Sequence, residues 1–229
     1  MTIKNYLKSE LRGWKPFEVI WLCIATSVIL SLSLIWKDNA IGIICALTGI
    51  WCVILTGQGK LSSFLFGTIN TLLYAYVAFF AKYYGEIMLN LLYYFPTNII
   101  GLIAWKRRFD EDTGEVDKTR MSLKGSLATY AITAAAIFLY GLVLKKLGGN
   151  LPFIDSMSTV ISVVAQILLI RRYMEQWILW IVVDVVTVIM WAVNFAHGGG
   201  DIATLLMWII YLVNAVIMFV RWYKGAKKA

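Results

Sequence analysis

Eight stretches of this 229-residue chain stay apolar for 17 to 21 residues each: 17–36, 40–57, 62–81, 86–105, 124–144, 154–170, 177–195 and 202–222. The hydrocarbon core of a bilayer, about 30 Å thick, takes about 20 helical residues to cross. No water reaches the backbone there, so each span must satisfy its own N–H and C=O groups as an α-helix. The pattern predicts an all-α polytopic membrane protein with eight transmembrane helices. Composition agrees, with 60% hydrophobic and 15% charged residues and a mean hydropathy of +0.75. Soluble domains average about 45–50% and about 25%, and one small core could not hide the excess. Basic residues precede the first span, as in a signal peptide. Its apolar run is too long and lacks a suitable small-residue cleavage site, so it reads as a retained helix.

Charge lies between the spans. The stretch 106–121, KRRFDEDTGEVDKTRM, is the one strongly polar segment; it is expected to lie in water and divides the chain in two. With eight alternating spans, one side of the membrane collects 17 of the 21 Lys and Arg, and the other only Lys37, Lys82, Lys145 and Lys146. Basic loops stay inside, so both termini are predicted to be cytoplasmic, in the inner or plasma membrane of a cell. The net charge of +8 is thereby read as orientation, not as nucleic-acid binding. Cys23, Cys45 and Cys52 sit in apolar runs without metal spacing, and His197 is the single histidine. HExxH, CxxC, Walker A and GxGxxG patterns do not occur. No cofactor and no enzymatic activity are expected. Gly198-Gly199-Gly200 reads as a turn.

A weak internal repeat appears at a shift of 114–115 positions. Residues 66–87 lie over 180–202, with Asn70 on Asp184, Thr48 on Ser162 and Gly85-Glu86-Ile87 on Gly200-Asp201-Ile202. Each unit holds three helices, 40–105 and 154–222, and the helix at 124–144 joins them. A single joining helix leaves the two units in the same orientation. Parallel repeats of this kind form transporters, with substrate at the repeat interface near mid-membrane. The chain divides into 1–39 (N-terminus and an extra helix), 40–105, the loop and linker helix 106–153, 154–222, and a basic tail 223–229.

Polar groups inside a membrane are costly and usually functional. Asp184 is the clearest, in the middle of 177–195. Trp177, Trp180, Asp184, Thr187 and Trp191 follow at spacings of three and four, so they share one helix face. Aromatic planes around a carboxylate suit a flat, polar or cationic ligand. The competing reading is interfacial Trp, fitting Trp177, with a structural Asp. Asn90, Tyr94, Thr97, Asn98 and Gly101 share a face of 86–105, which Pro96 interrupts. Asn90 and Asn98 fit ligand contact and interhelical glue equally, glue contributing roughly 0.6–2 kcal/mol. Asn70, Gln166 and Asn214 are single polar groups on other helices and read first as glue, while Trp51 and Tyr211 could line a cavity. The candidate substrate contacts are Trp180, Asp184, Asn98, Asn90, Asn70 and Trp51. With one mid-membrane acid and no proton relay, facilitated diffusion is the simplest mechanism.

The segments LFGTIN, IMLN and PTNIIGLIAWKRR in the first half resemble PnuC-type vitamin transporters. PFIDSMSTVISVVAQILLIRRYMEQWILWIVVD in the second half carries the same resemblance more specifically. The similarity runs through most of 40–222. It implies uptake of nicotinamide riboside, an NAD precursor, by facilitated diffusion, with a cytoplasmic kinase trapping the product. It implies a fold similar to the SWEET sugar transporters, with two parallel three-helix bundles, a linker helix and here an extra first helix. It also implies a homotrimer, with substrate between the bundles contacting Trp180 and Asp184. Family members often carry Asn at the position of Asp184 and Gln at that of Asn90. Relatives that carry thiamine or riboflavin share the scaffold, so the cargo stays open among these vitamins.

Overall fold

The structure, a computed structural model, describes residues 8–148, 152–198 and 202–228. Lys4 of the basic N-terminal stretch, Gly199 and Gly200 of the glycine turn, and Asp201 lie outside the described residues.

Among the described residues, eight helices are long and apolar enough to cross a membrane. They are α1 (Pro16–Ile35), α2 (Ala40–Gln58), α3 (Ser62–Phe80), α4 (Tyr84–Lys106), α5 (Leu123–Lys146), α6 (Pro152–Ile170), α7 (Gln176–Ala196) and α8 (Ile202–Gly225). No boundary departs from the sequence expectation by more than three residues. Local chemistry sets the ends. Asn39 caps α2, its side chain accepting from the Gly42 N–H at 2.7 Å, and Ser122 caps α5 in the same way. Pro16 opens α1, where a missing N–H costs nothing. Gly59, at φ +81°, ends α2 in the left-handed conformation that suits glycine. Asp38 caps α8 from a distance, its Oδ2 accepting from the Ala203 N–H at 2.6 Å. Burial there pushes the Asp38 carboxyl above its ordinary range, against the pull of the Ala203 and Asn39 N–H groups.

Six helices close a ring. α2 packs on α3, α3 on α4, α4 on α6, α6 on α7, α7 on α8, and α8 back on α2. α1 lies outside, against the seam of α2 and α8, and α5 lies outside against α6. Outward faces carry Ile, Leu, Val and Phe, the surface that lipid tails accept. Gly49 sets the approach of α2 to α8, because a Cβ there would strike the Tyr211 hydroxyl.

α4 is not a continuous α-helix. It runs as α over Tyr84–Met88, as π over Leu89–Tyr94, and as α again over Phe95–Lys106. Pro96, in the first turn of the last piece, has no N–H to give the preceding turn. Widened turns of this sort recur at functional sites.

The polar loop is less solvated than its composition suggests. Phe109–Asp110 (β1) and Glu115–Val116 (β2) form a small antiparallel hairpin, and Thr119–Arg120 (β3) runs parallel to Lys227–Lys228 (β4). The Val116 N–H donates to Gly59 O at 3.0 Å, and the Met174 N–H donates to Thr119 O at 2.9 Å. Glu175 accepts from the Met121 N–H at 3.1 Å. Arg221 pairs with Glu18 and, at 3.2 Å, with Glu115; Arg172 pairs with Asp117 at 2.9 Å. One clasp thus ties the α2–α3 turn, the α6–α7 turn and the end of α8. Within it Glu115 is met by Lys118 and Arg221, while Lys106, Arg107, Arg108, Asp110, Glu111, Asp112 and Asp117 stay exposed, so the loop is part clasp and part solvated surface.

Lys60 is the centre of the clasp. It is fully buried, and its Nζ donates to Gly114 O at 2.6 Å and to Arg12 O. Burial pulls its ammonium below the usual lysine range, while Glu10, Glu115 and Glu18 pull the other way. Lys60→Met would leave both carbonyls unmet, a cost of roughly 1–3 kcal/mol. The thermal unfolding midpoint in detergent is expected to fall by several degrees, since about 1 kcal/mol moves a domain of this size by about 2–4 °C. Exposed Lys124→Met, measured alongside, should leave the midpoint unchanged.

Candidate functional site

Residues from all six ring helices line one central cavity, and none comes from α1 or α5. Its volume is about 130 Å³. Its lining is aromatic and polar. Among the lining residues there is no Lys and no Arg, and there are two acids, Asp184 and Glu86.

α7 supplies the stripe foreseen from its spacing. Trp177, Trp180, Asp184 and Thr187 all face the cavity, and Trp191 is buried just beyond it. Asp184 is 3% exposed. Among the described residues, its carboxylate has no hydrogen-bond donor and no ion-pair partner. An unpaired charge sheltered from water is expensive. Trp180 stands across from Tyr94 on α4, ring centroids 6.3 Å apart. Trp177 is not the membrane-interface anchor its position suggested. It is 2% exposed, because the edge of the Trp222 ring packs on it at 5.8 Å.

α4 contributes Glu86, Asn90, Tyr94 and Asn98, four residues apart in succession. In a regular α-helix that spacing drifts around the axis, but a π turn holds more residues and keeps them on one side. Asn98 is a bridge. Its Nδ2 donates to Thr71 on α3 at 3.3 Å, and its Oδ1 accepts from Gln166 on α6 at 3.4 Å. Asn90 donates instead to the Glu86 carbonyl of its own helix at 2.8 Å. Asn70 donates to Cys45 O at 2.8 Å and accepts from Tyr211 at 3.5 Å. Asn98 and Asn70 therefore join ring helices while facing the hollow, whereas Asn90 bonds within its own helix.

Trp51 is a correction. It does not line the cavity. Its side chain is 36% exposed, bonds Thr26 of α1 at 3.2 Å, and packs against Phe66 at 5.2 Å. Its neighbours Cys52, Val53 and Thr56 occupy the inward side of α2. Glu86 was missed as a site residue, since it stood at the edge of a span. The repeat held a signal, because Glu86 falls on another acid, Asp201. Ser162 and Tyr74 were also missed, while Tyr211 and Gln166, weighed but left aside, do line the cavity.

Aromatic clusters flank the cavity at both ends. Toward the α3–α4 turn, Trp191 Nε1 donates to the Tyr74 hydroxyl at 2.9 Å, and Tyr83 meets the Trp191 ring at 5.3 Å. Toward the clasp, Phe64 meets Trp105 at 5.0 Å, and Trp222 Nε1 donates to Gly57 O at 2.7 Å.

Comparison with known proteins follows this geometry. The sequence model of a family described as nicotinamide mononucleotide transporter matches residues 39–224. A nicotinamide riboside transporter PnuC of Neisseria mucosa is 38% identical, over 100% of this chain and 89% of that protein. A protein of the same description from Haemophilus influenzae is 34% identical, over 100% and 99%. A crystal structure of the vitamin B3 transporter PnuC superposes with a TM-score of 0.87 at 37% identity, covering 98% of this chain and 97% of that one.

The two asparagines on α4 should separate on mutation. Asn98→Leu strands Thr71 and Gln166 and is expected to cost about 1–2 kcal/mol of thermal stability in detergent, whereas Asn90→Leu, which breaks only a bond within one helix, costs less than half as much. Equal losses would contradict the bridging role.

Proposed function

Because this chain belongs to the nicotinamide mononucleotide transporter family, we propose that it carries nicotinamide riboside across the membrane by facilitated diffusion. The observation that supports this most is Asp184, a buried carboxylate in the central cavity that has no protein partner among the described residues. Nicotinamide riboside brings a fixed positive charge on its pyridinium ring, a carboxamide and ribose hydroxyls. The ring charge offsets the desolvated carboxylate, and Trp180 and Tyr94 offer flat faces to the ring. Asn90, Asn70 and Asn98 provide amide groups for the hydroxyls and carboxamide. A phosphorylated form of the substrate would meet two acids and no basic residue in the lining. That favours the riboside over the mononucleotide.

In this reading, substrate lies between two parallel three-helix bundles, 40–105 and 154–222. The first helix and the linker helix brace them from outside. Rocking of one bundle against the other opens the cavity to each side in turn, with the Pro96 region of α4 as the flexing element. Both termini and the clasp are cytoplasmic, as the skew of Lys and Arg indicates. The protein works in the cell membrane as a homotrimer. No ion need be coupled.

Two measurements test the reading. Asp184→Ala and Trp180→Ala are expected to abolish uptake of labelled nicotinamide riboside into proteoliposomes while the protein still inserts; wild-type uptake by both would remove the cavity from the path. Titration of the purified protein should show saturable binding of nicotinamide riboside and at least about tenfold weaker binding of the mononucleotide, thiamine and riboflavin, a gap of about 1.4 kcal/mol. Tighter binding of thiamine or riboflavin would reassign the cargo within the family.

A further inference from the structure

The second acid of the cavity has no assigned task. Glu86 is the third residue of α4, half-buried, and its side chain faces the hollow. Among the described residues, its carboxylate has no hydrogen-bond or ion-pair partner, like that of Asp184. The two acids stand at different depths. Asp184 is close to the middle of α7, while Glu86 lies about nine residues before the middle of α4. At 1.5 Å per residue that places Glu86 roughly 10 Å or more nearer the end of the cavity at the α3–α4 turn. The phenol of Tyr94 lies within electrostatic range of both carboxylates, and that of Tyr74, in the aromatic cluster at that end, within range of Glu86.

A glutamate in a first helical turn needs no more explanation than its favourable place near the positive end of the helix dipole. Two features of Glu86 go beyond that. Its side chain turns into a cavity whose lining holds a second acid, Asp184, and no basic residue. It also stands near the aromatic cluster of Tyr74, Tyr83 and Trp191 at that end of the cavity. A cation beside this carboxylate offsets the cost of sheltering it from water.

We propose that Glu86 is a specificity-determining residue for transport. It forms an outer station that holds the positive ring of the substrate as it enters, and it selects a cationic ring over an uncharged one of the same shape. This rests on the transporter reading above.

Reduced dihydronicotinamide riboside is the probe, since it keeps the ribose and carboxamide but has lost the ring charge. Binding of each form to the purified full chain is measured by calorimetry. Glu86→Gln is expected to weaken nicotinamide riboside at least about fivefold while leaving the reduced form within about twofold, a change in the ratio that a packing role would not produce. Glu86→Asp should restore the preference for the cation. Glu86→Ala repeats the test if Glu86→Gln loses its thermal transition. Equal weakening of both forms, or no change in either, overturns the proposal and leaves the transporter reading in place. Failure of the wild-type protein to bind nicotinamide riboside removes both.

Discussion

The structure depends on keeping polar side chains out of hydrocarbon. Asp184, Asn98, Gln166 and Thr71 would each be costly against lipid tails. They are tolerated because six helices close into a ring and turn them toward one another. The Gln166–Asn98–Thr71 chain of hydrogen bonds, at 3.4 and 3.3 Å, links α6, α4 and α3. The same closure makes the hollow. Asp184 is the member of this set left without a partner among the described residues, and the proposed cargo follows from that.

Around the hollow, stiffness and pliancy are divided between the two ends. At the clasp, charged pairs and a buried lysine fasten turns from both halves of the chain. At the other end the contacts are aromatic, with Trp191, Tyr74 and Tyr83 stacked edge to face or tilted. Aromatic contacts slide with less penalty than buried ion pairs break. The alternating access proposed above requires both ends to yield, and on that proposal opening the clasp is the more demanding step.

Much of the fold was legible because membrane spans obey a simple length and polarity rule. All eight helices could be placed within three residues, and Trp180 and Asp184 by the face they share. What escaped the sequence depended on three-dimensional packing. Trp51 carries the same ring as Trp180, but only the course of α2 decides which way it points. Glu86 sits where a span begins, and a boundary acid reads as solvated until α4 is seen to turn it inward. The clasp was invisible for a related reason: KRRFDEDTGEVDKTRM is polar whether water or neighbouring turns satisfy it. The π stretch of α4 was hinted at by Pro96 but not determined by it.

The most direct test of the central claim is an experimental structure of the protein with nicotinamide riboside bound. The account predicts density for the ligand inside the six-helix ring, the pyridinium ring beside the Trp180 indole and within ion-pair distance of the Asp184 carboxylate. Ligand bound outside the ring, or inside it with Asp184 turned away and paired to protein, would contradict it.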